Sequence, residues 1–478
     1  CTFFRTYILS HSLGADQFGL YAIGLTLSSF LLTIGSLGLG TTLMRYVASN
    51  QDRPACIRAV VIRNAGIAVL LALTVSVILI CAANLIASHV YAKSEAAPIL
   101  RLFAFAVPLG VILDLVNSIN RGIRHVGSAI LITNFLQPAL GLAAVWIAVT
   151  VYSQLVTVVA SYIAALALSA VVSILIVNRN LPAGDGTRLK SAGLRPLRDG
   201  LVMFVLTLAN STLLSVGGLV LAALRPSPDN GKYLIAYQVA FSCNFIISAV
   251  YGLFAPAVAS NNSPDRKHEL LNLLNFANAI TTALVLIPCI AAIYYRDDIL
   301  SLFGETFHNS ESQIAVAAML VAICLYAIVG SMPLQVLVMC GYERIELVNN
   351  IVCLVVAIPL QYALISGFGI VGAGIATAFS LILLAALRVA ELRFVLNIPL
   401  RIPGALSIFA AAIASTIFMN SCAPYFTGLP GWLRLALGFA SLSMTYVAAL
   451  LILQRHAVIR VTQHICTSIL RTNQPVES

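Results

Sequence analysis

Apolar runs of membrane-spanning length follow one another along nearly the whole of this chain, separated only by short polar or Gly/Pro loops. A helix needs roughly 20 apolar residues to cross a bilayer. In lipid each backbone N–H and C=O must find its partner within the protein, so such runs can only be helices. Spans are predicted over a partial first helix to about Ser12, then over 18–45, 59–88, 98–120, 128–149 and 154–178. Further spans are predicted over 200–224, 233–259, 271–295, 313–340, 347–365, 370–390, 402–423 and 432–453. Composition points the same way: 60% of the 478 residues are hydrophobic and 9% are charged, against about 25% charged in soluble domains. The expected fold class is an all-α polytopic membrane protein with about 14 transmembrane helices, the first truncated.

The truncation is inferred from the opening. The chain begins at Cys1 and reaches the turn signal Leu13-Gly14-Ala15-Asp16 too soon for a full span, so the natural chain is expected to start earlier. No cleavable signal peptide is visible.

Loop charges give the spans a direction, because cytoplasmic loops carry an excess of Lys and Arg. Alternate loops, beginning with Arg45, Arg53, Arg58 and Arg63 after the second span, hold 20 of the 27 basic residues. The intervening loops hold six, Lys93, Arg101, Arg225, Lys232, Arg296 and Arg434, and Arg5 lies within the first helix. The C-terminus is therefore expected in the cytoplasm. The net charge of +10 is accounted for by this bias, and no basic face with interleaved aromatics suggests nucleic acid. The expected organisation is a six-helix lobe over 1–178, a basic cytoplasmic linker over 179–199, a second six-helix lobe over 200–395, and two additional helices with a tail over 396–478.

Two halves of this kind invite a search for duplication. Gly19-Leu20-Tyr21 matches Gly231-Lys232-Tyr233 in its Gly and Tyr, and Gly40 reaches Gly252 at the same offset of 212 residues. A looser echo joins Gly122, Arg124 and Pro138 to Gly341, Arg344 and Pro359. Equal orientation of the halves implies parallel repeats about an axis along the membrane normal.

The stretch from Leu13-Gly14-Ala15-Asp16-Gln17-Phe18-Gly19-Leu20-Tyr21 through Leu37-Gly38-Leu39-Gly40 to Arg45-Tyr46-Val47-Ala48 resembles the opening of bacterial polysaccharide transporters. These are the O-antigen flippases of the multidrug/oligosaccharidyl-lipid/polysaccharide exporter superfamily. Cys340-Gly341-Tyr342-Glu343-Arg344 and the run from Gly367-Phe368-Gly369 to Gly374-Ile375-Ala376-Thr377 are similar to that family's eleventh and twelfth helices. The resemblance implies two six-helix lobes about a central cavity, two extra helices, and alternating access that moves a sugar headgroup while its lipid tail stays in the bilayer. It also implies a polyprenyl-linked glycan as substrate, membrane lipid as surroundings, and a proton or sodium ion as coupling ion.

Polar groups inside a span need a partner or water. Asp114, Asn117 and Arg121 follow one face of the fourth span at i, i+3 and i+7. Asp114 reads either as a proton or cation site in a cavity stripe or as a structural hydrogen bond between helices. Arg5 reads as a bidentate grip on pyrophosphate, or as the partner of Asp114. Asn272, Asn275 and Asn278 recur every third residue of the ninth span and can bond sugar hydroxyls or hold helices together. Asn210, Gln238, Asn244 and Gln335 are single candidates of the same kind. Arg121 and Arg124 read as contacts to anionic lipid or pyrophosphate, or simply as topology signals.

Other chemistries find no support. The ten Cys form no C-x-x-C pair and no Cys/His cluster with metal-ligand spacing, so neither a disulfide framework nor a zinc site is expected. Gly367-Phe368-Gly369-Ile370-Val371-Gly372 matches G-x-G-x-x-G but joins two membrane spans instead of following a strand. No phosphate-binding loop of an ATPase occurs, and no cofactor is expected. Asp297-Asp298 reads as a solvated helix end. The expected function is thus a flippase or exporter of lipid-linked oligosaccharide or polysaccharide repeat units in lipopolysaccharide or exopolysaccharide biosynthesis, and no enzyme. The alternatives are a membrane polysaccharide polymerase or O-antigen ligase, whose large outer loop is missing, and a multidrug exporter of the same superfamily.

Overall fold

Lipid-facing helices announce themselves by outward apolar side chains, and those are abundant here. In a computed structural model, Leu70, Ile78, Trp146, Ile147, Val355, Met444 and Ile452 point away from the protein, each more than half exposed. The structure describes residues 2–50, 54–123, 125–152, 154–181, 195–260, 267–426 and 428–453, and among these every regular element is helical.

The helices are α1 (Thr2–Ser36), α2 (Leu39–Ser49), α3 (Pro54–Leu85), α4 (Ala96–Ala104), α5 (Ala106–Gly122), α6 (Val126–Ile130), α7 (Gln137–Val151), α8 (Leu155–Asn180) and α9 (Arg195–Leu224). There follow α10 (Ser227–Ser242), α11 (Asn244–Ser260), α12 (Lys267–Tyr294), α13 (Arg296–Ser301), α14 (Ser310–Leu325), α15 (Ser331–Met339), α16 (Glu343–Phe394), α17 (Ala405–Phe426) and α18 (Gly431–Leu453). Three π-helical turns interrupt them, at Ile86–Val90, Leu131–Leu136 and Tyr326–Gly330.

Among the described residues, twelve continuous segments are long and apolar enough to cross a membrane. Two of them are each a pair of helices joined at one residue of positive φ: α1 kinks at Gly14 (φ 71) and α16 at Gly369 (φ 59). Divided there, the spans number fourteen, with a short first one, as the apolar runs predict. Glycine takes these dihedrals without the Cβ clash that other residues meet.

The chain packs as two compact units. The first comprises residues 1–238, 303–319 and 341–384. Its core gathers Leu9, Phe18, Tyr21, Leu39, Leu43 and Phe103, where α1 packs on α3, α4, α5, α7 and α9. The second comprises residues 239–302, 320–340 and 385–478. There the α17–α18 hairpin packs on α12, around Leu286, Ile408, Ala411 and Tyr446. Tyr295 fills the space that a side chain at Gly438 would take, which seats α18 closely.

Between α1 and α2, Leu37 (φ 50) and Gly38 (φ 63) break the helix. A Cβ at Gly38 would lie 2.8 Å from the Phe204 backbone, so α9 crosses at this break. Two residues on, a Cβ at Gly40 would lie 2.7 Å from Asp114 Oδ2. The Leu37-Gly38-Leu39-Gly40 motif thus serves close packing of α2 on α9 and α5.

Candidate functional site

A cavity of about 250 Å³ lies between α1, α9 and α10. Small residues open it: Ala22, Thr26 and Ser29 on α1, and Ser215 and Gly218 on α9. Asn230, Tyr233, Tyr237 and Gln238 of α10 close the other wall, and none of its lining residues is charged. Most of the polar groups are held in place. Thr6 Oγ1 donates to Gln238 Oε1 at 2.6 Å, Asn230 Nδ2 donates to the Pro226 carbonyl at 3.3 Å, and Tyr233 OH meets Thr377 Oγ1 at 3.0 Å. Gln361 Nε2 donates to the same Thr377 oxygen at 3.1 Å. An apolar cleft with a few fixed hydroxyl and amide groups suits a neutral polar ligand carrying its own hydroxyls.

One residue before Thr6, Arg5 lays its guanidinium on the Tyr162 ring, 4.5 Å from the centroid. Its Nε is buried without a hydrogen-bond partner, and so is the hydroxyl of Tyr21. A Cβ at Gly141 would lie 3.7 Å from an Arg5 terminal nitrogen, so α7 also comes close. Arg5 thus sits among aromatics, whereas Asp114 lies half-buried against Gly40 and Ser118. Arg121, at the exposed end of α5, is the charge that acts on Asp114, and Asn117 between them is half-buried.

Of the remaining candidates only Gln238 lines the cavity. Asn210, Asn244 and Asn272 are exposed on their helices. Asn275 Oδ1 accepts from the Arg401 backbone N–H at 2.8 Å. Asn278 is fully buried and neither side-chain atom has a partner. The every-third-residue series on α12 therefore runs from exposed to buried. Arg124, Arg188, Lys190 and the Gln335 side chain lie outside the described residues.

Two charged residues are buried where loop-charge reading gives no warning of it. Arg388, counted there as an inner-loop cation, is 1% exposed. It donates to Tyr326 OH at 2.9 Å and stacks 5.5 Å from that ring. Glu346, in the first turn of α16, is 1% exposed and accepts from Asn350 Nδ2 at 2.8 Å. Its i, i+4 spacing to Asn350 was a usable signal, while Arg388 gave none.

Basic residues of the predicted outer loops serve as helix caps. Lys93 Nζ donates to the Ala222 and Arg225 carbonyls, both at 2.7 Å, at the end of α9. Burial lowers its ammonium to about 8, against the opposing pull of Asp229. A neutral amine keeps two N–H donors, which still match the two carbonyls. Arg225 donates in turn to the Ile365 and Ser366 carbonyls, both at 3.2 Å, just before the Gly369 kink. A separate cleft of about 310 Å³ lies between α12 and α17, walled by Leu286, Ile290, Phe409, Ile413 and Ile417. Its hydrocarbon lining suits an alkyl or prenyl chain, not a headgroup.

Among the described residues, twelve continuous apolar helical segments, two of them split at Gly14 and Gly369, define a multi-pass membrane protein. The model of the family described as polysaccharide biosynthesis protein matches residues 3–261, more than half of the chain, and the chain belongs to that family. Among solved structures the fold is similar to the lipid II flippase MurJ in an inward closed conformation, with TM-score 0.64 and 13% identity over 96% of this chain and 98% of that one. It is also similar to an inward-facing multidrug resistance MATE transporter of the MOP superfamily, with TM-score 0.65 and 15% identity over 82% of this chain and 93% of that one. A MOP superfamily transporter from Pyrococcus furiosus gives TM-score 0.57 and 16% identity over 83% and 94%. At these identities the likeness is one of fold. No curated protein sequence matches the chain.

Proposed function

We infer that this protein flips lipid-linked oligosaccharide or polysaccharide repeat units across the bacterial inner membrane by alternating access. The observation that carries the reading is the uncharged hydroxyl- and amide-lined cavity tied through Thr6 to the helix turn that bears Arg5. A glycan headgroup is neutral and rich in hydroxyls, whereas its carrier link is an anionic pyrophosphate. Tyr237, Asn230 and Gln238 suit the first, and a guanidinium with an unpartnered donor suits the second. Family membership and the likeness to a lipid II flippase support the same class of substrate. In this reading residues 1–178 and 200–395 are the two moving lobes, the basic linker 179–199 and the C-terminus are cytoplasmic, and residues 396–478 add two helices. Asp114 is the group to hold a coupling proton or sodium ion, near Arg121. The protein moves its substrate without making or breaking a covalent bond.

The test is the leaflet location of lipid-linked glycan in a host lacking the gene, complemented with the wild type or with Arg5→Ala. Accumulation of unpolymerised units on the cytoplasmic face, relieved by the wild type only, is the expected result. Accumulation on the outer face would mean that flipping is intact, and would move the assignment to a polymerase or ligase.

A further inference from the structure

Gly19 and Gly231, the two glycines matched at the offset of 212 residues, meet in space. A Cβ at Gly19 would overlap the Ser227 carbonyl at the start of α10. A Cβ at Gly231 would lie 2.8 Å from the Phe18 ring and 3.4 Å from the Gly19 nitrogen. Phe18 is fully buried and sets its ring edge-on to Phe307, with 5.6 Å between centroids. α1 and α10 thus touch nearly backbone to backbone where each carries its glycine. The cavity begins beside this seam: its lining runs from Ala22 to Ser29 on α1 and from Asn230 to Gln238 on α10. All of these residues belong to the first compact unit.

A second contact ties the same end. Lys93, in the loop after the π-helical turn Ile86–Val90, donates to the Ala222 and Arg225 carbonyls, both at 2.7 Å. Arg225 lies two residues before Ser227, so this clasp joins a loop of residues 1–178 to the α9–α10 turn from which the seam starts. Lys93 and Arg225 stand in loops that the charge bias places outside. Matching residues of two parallel repeats approach each other only near the axis that relates them. What lies on that axis is what parts when the halves move. Between helices in lipid, small residues gain only by close van der Waals packing, so a glycine seam gives up little side-chain interlocking as it opens.

We propose that the Gly19–Gly231 seam, tied by the Lys93 clasp, is the outer gate of the cavity. It is shut in this structure and parts when the halves over 1–178 and 200–395 separate on that side. The gate rests on the transporter reading, whatever the cargo.

The test places a thiol inside the cavity by Thr26→Cys, about two helical turns beyond Gly19, in the whole chain in right-side-out membrane vesicles. A membrane-impermeant trimethylammonium methanethiosulfonate is added outside. Its adduct at position 26 is followed by non-reducing peptide mass spectrometry, so the native thiols do not interfere. With the seam intact the adduct forms slowly. Gly19→Ala, which pushes a methyl group into the Ser227 carbonyl, is expected to speed it about tenfold or more, as when an open state of about 1–10% becomes dominant. Lys93→Met adds no bulk to the seam and gives a smaller rise. Gly66→Ala, whose Cβ would meet nothing within 4 Å, gives none. A rate as fast with the seam intact as in Gly19→Ala would overturn the gate. If Gly19→Ala fails to fold, Lys93→Met decides by itself, and an unchanged rate there overturns the clasp and the gate with it. These readouts involve no transport: a gate that passes them while the leaflet assay fails keeps its role and changes only its cargo.

Discussion

Among the described residues, two helical arginines lie over a tyrosine ring, Arg5 and Arg388, and they are held in different ways. Arg388 donates to Tyr326 OH and stacks on the same ring, and none of its nitrogens is a buried unpartnered atom. Arg5 stacks on Tyr162 at 4.5 Å, yet its Nε is buried and unbonded. A bonded buried cation holds structure, since removing one side of such a pair strands the other. An unbonded donor is a cost of about 1–3 kcal/mol that something else must offset. Stacking on tyrosine returns only about 0.5–2 kcal/mol. Arg5 is thus close to neutral for folding, and in the proposed reading a phosphate of the ligand completes its hydrogen bonds.

The contrast breaks most visibly at Arg388. Arg388→Ala is expected to cost about 3 kcal/mol or more, from the lost hydrogen bond, the lost ring contact and the cavity left in α16. Denaturant unfolding in detergent micelles measures it. A variant as stable as the wild type would remove the structural role and leave the two arginines alike.

The second test runs the other way. Arg5→Met is expected to keep the unfolding midpoint within about 1 kcal/mol of wild type, while flipping of a pyrophosphate-linked glycan in proteoliposomes falls tenfold or more, about 1.4 kcal/mol. Arg5→Lys keeps the charge but loses the planar fork, and should recover only part of the activity. If Arg5→Met unfolds the protein as Arg388→Ala does, Arg5 is a second structural cation and the proposed phosphate grip fails.

Legibility in the sequence divides along similar lines. Helices were readable because lipid forces each apolar run to satisfy its own backbone, and the pairs split at Gly14 and Gly369 were readable from their turn residues. Gln238 stood out as an amide within an apolar span. Tyr233, Thr26 and Ser29 did not, because such residues are common in helices. Only packing between segments some 200 residues apart makes them one cavity. Arg388 was misread because a basic residue near a helix end looks like a topology signal, whether packing buries it or leaves it in water. Five of the six exceptions to the charge bias now have a cause. Lys93, Arg101, Arg225, Arg296 and Arg434 each bond a carbonyl, an amide or a carboxylate, so five of the six sit where the fold needs a donor.

The smallest expected effect sharpens the link between Arg5 and the cavity. Thr6 is buried and donates its hydroxyl proton to Gln238 Oε1 at 2.6 Å, so Thr6→Val removes that bond with little change in shape. Hydrogen bonds between membrane helices average about 0.6 kcal/mol, because the separated helices find other partners. The stability loss should therefore be near that value. The functional effect should exceed it in kind: an amide released from α1 can turn within the cavity, so half-saturation for the glycan changes more than the maximal rate. A double-mutant cycle with Gln238→Ala isolates the pair. Coupling near 0.6 kcal/mol in unfolding, with altered half-saturation, keeps Thr6 as the tether between the cation and the neutral wall. Zero coupling in both measurements would separate Arg5 from the cavity and leave the two as independent features of α1.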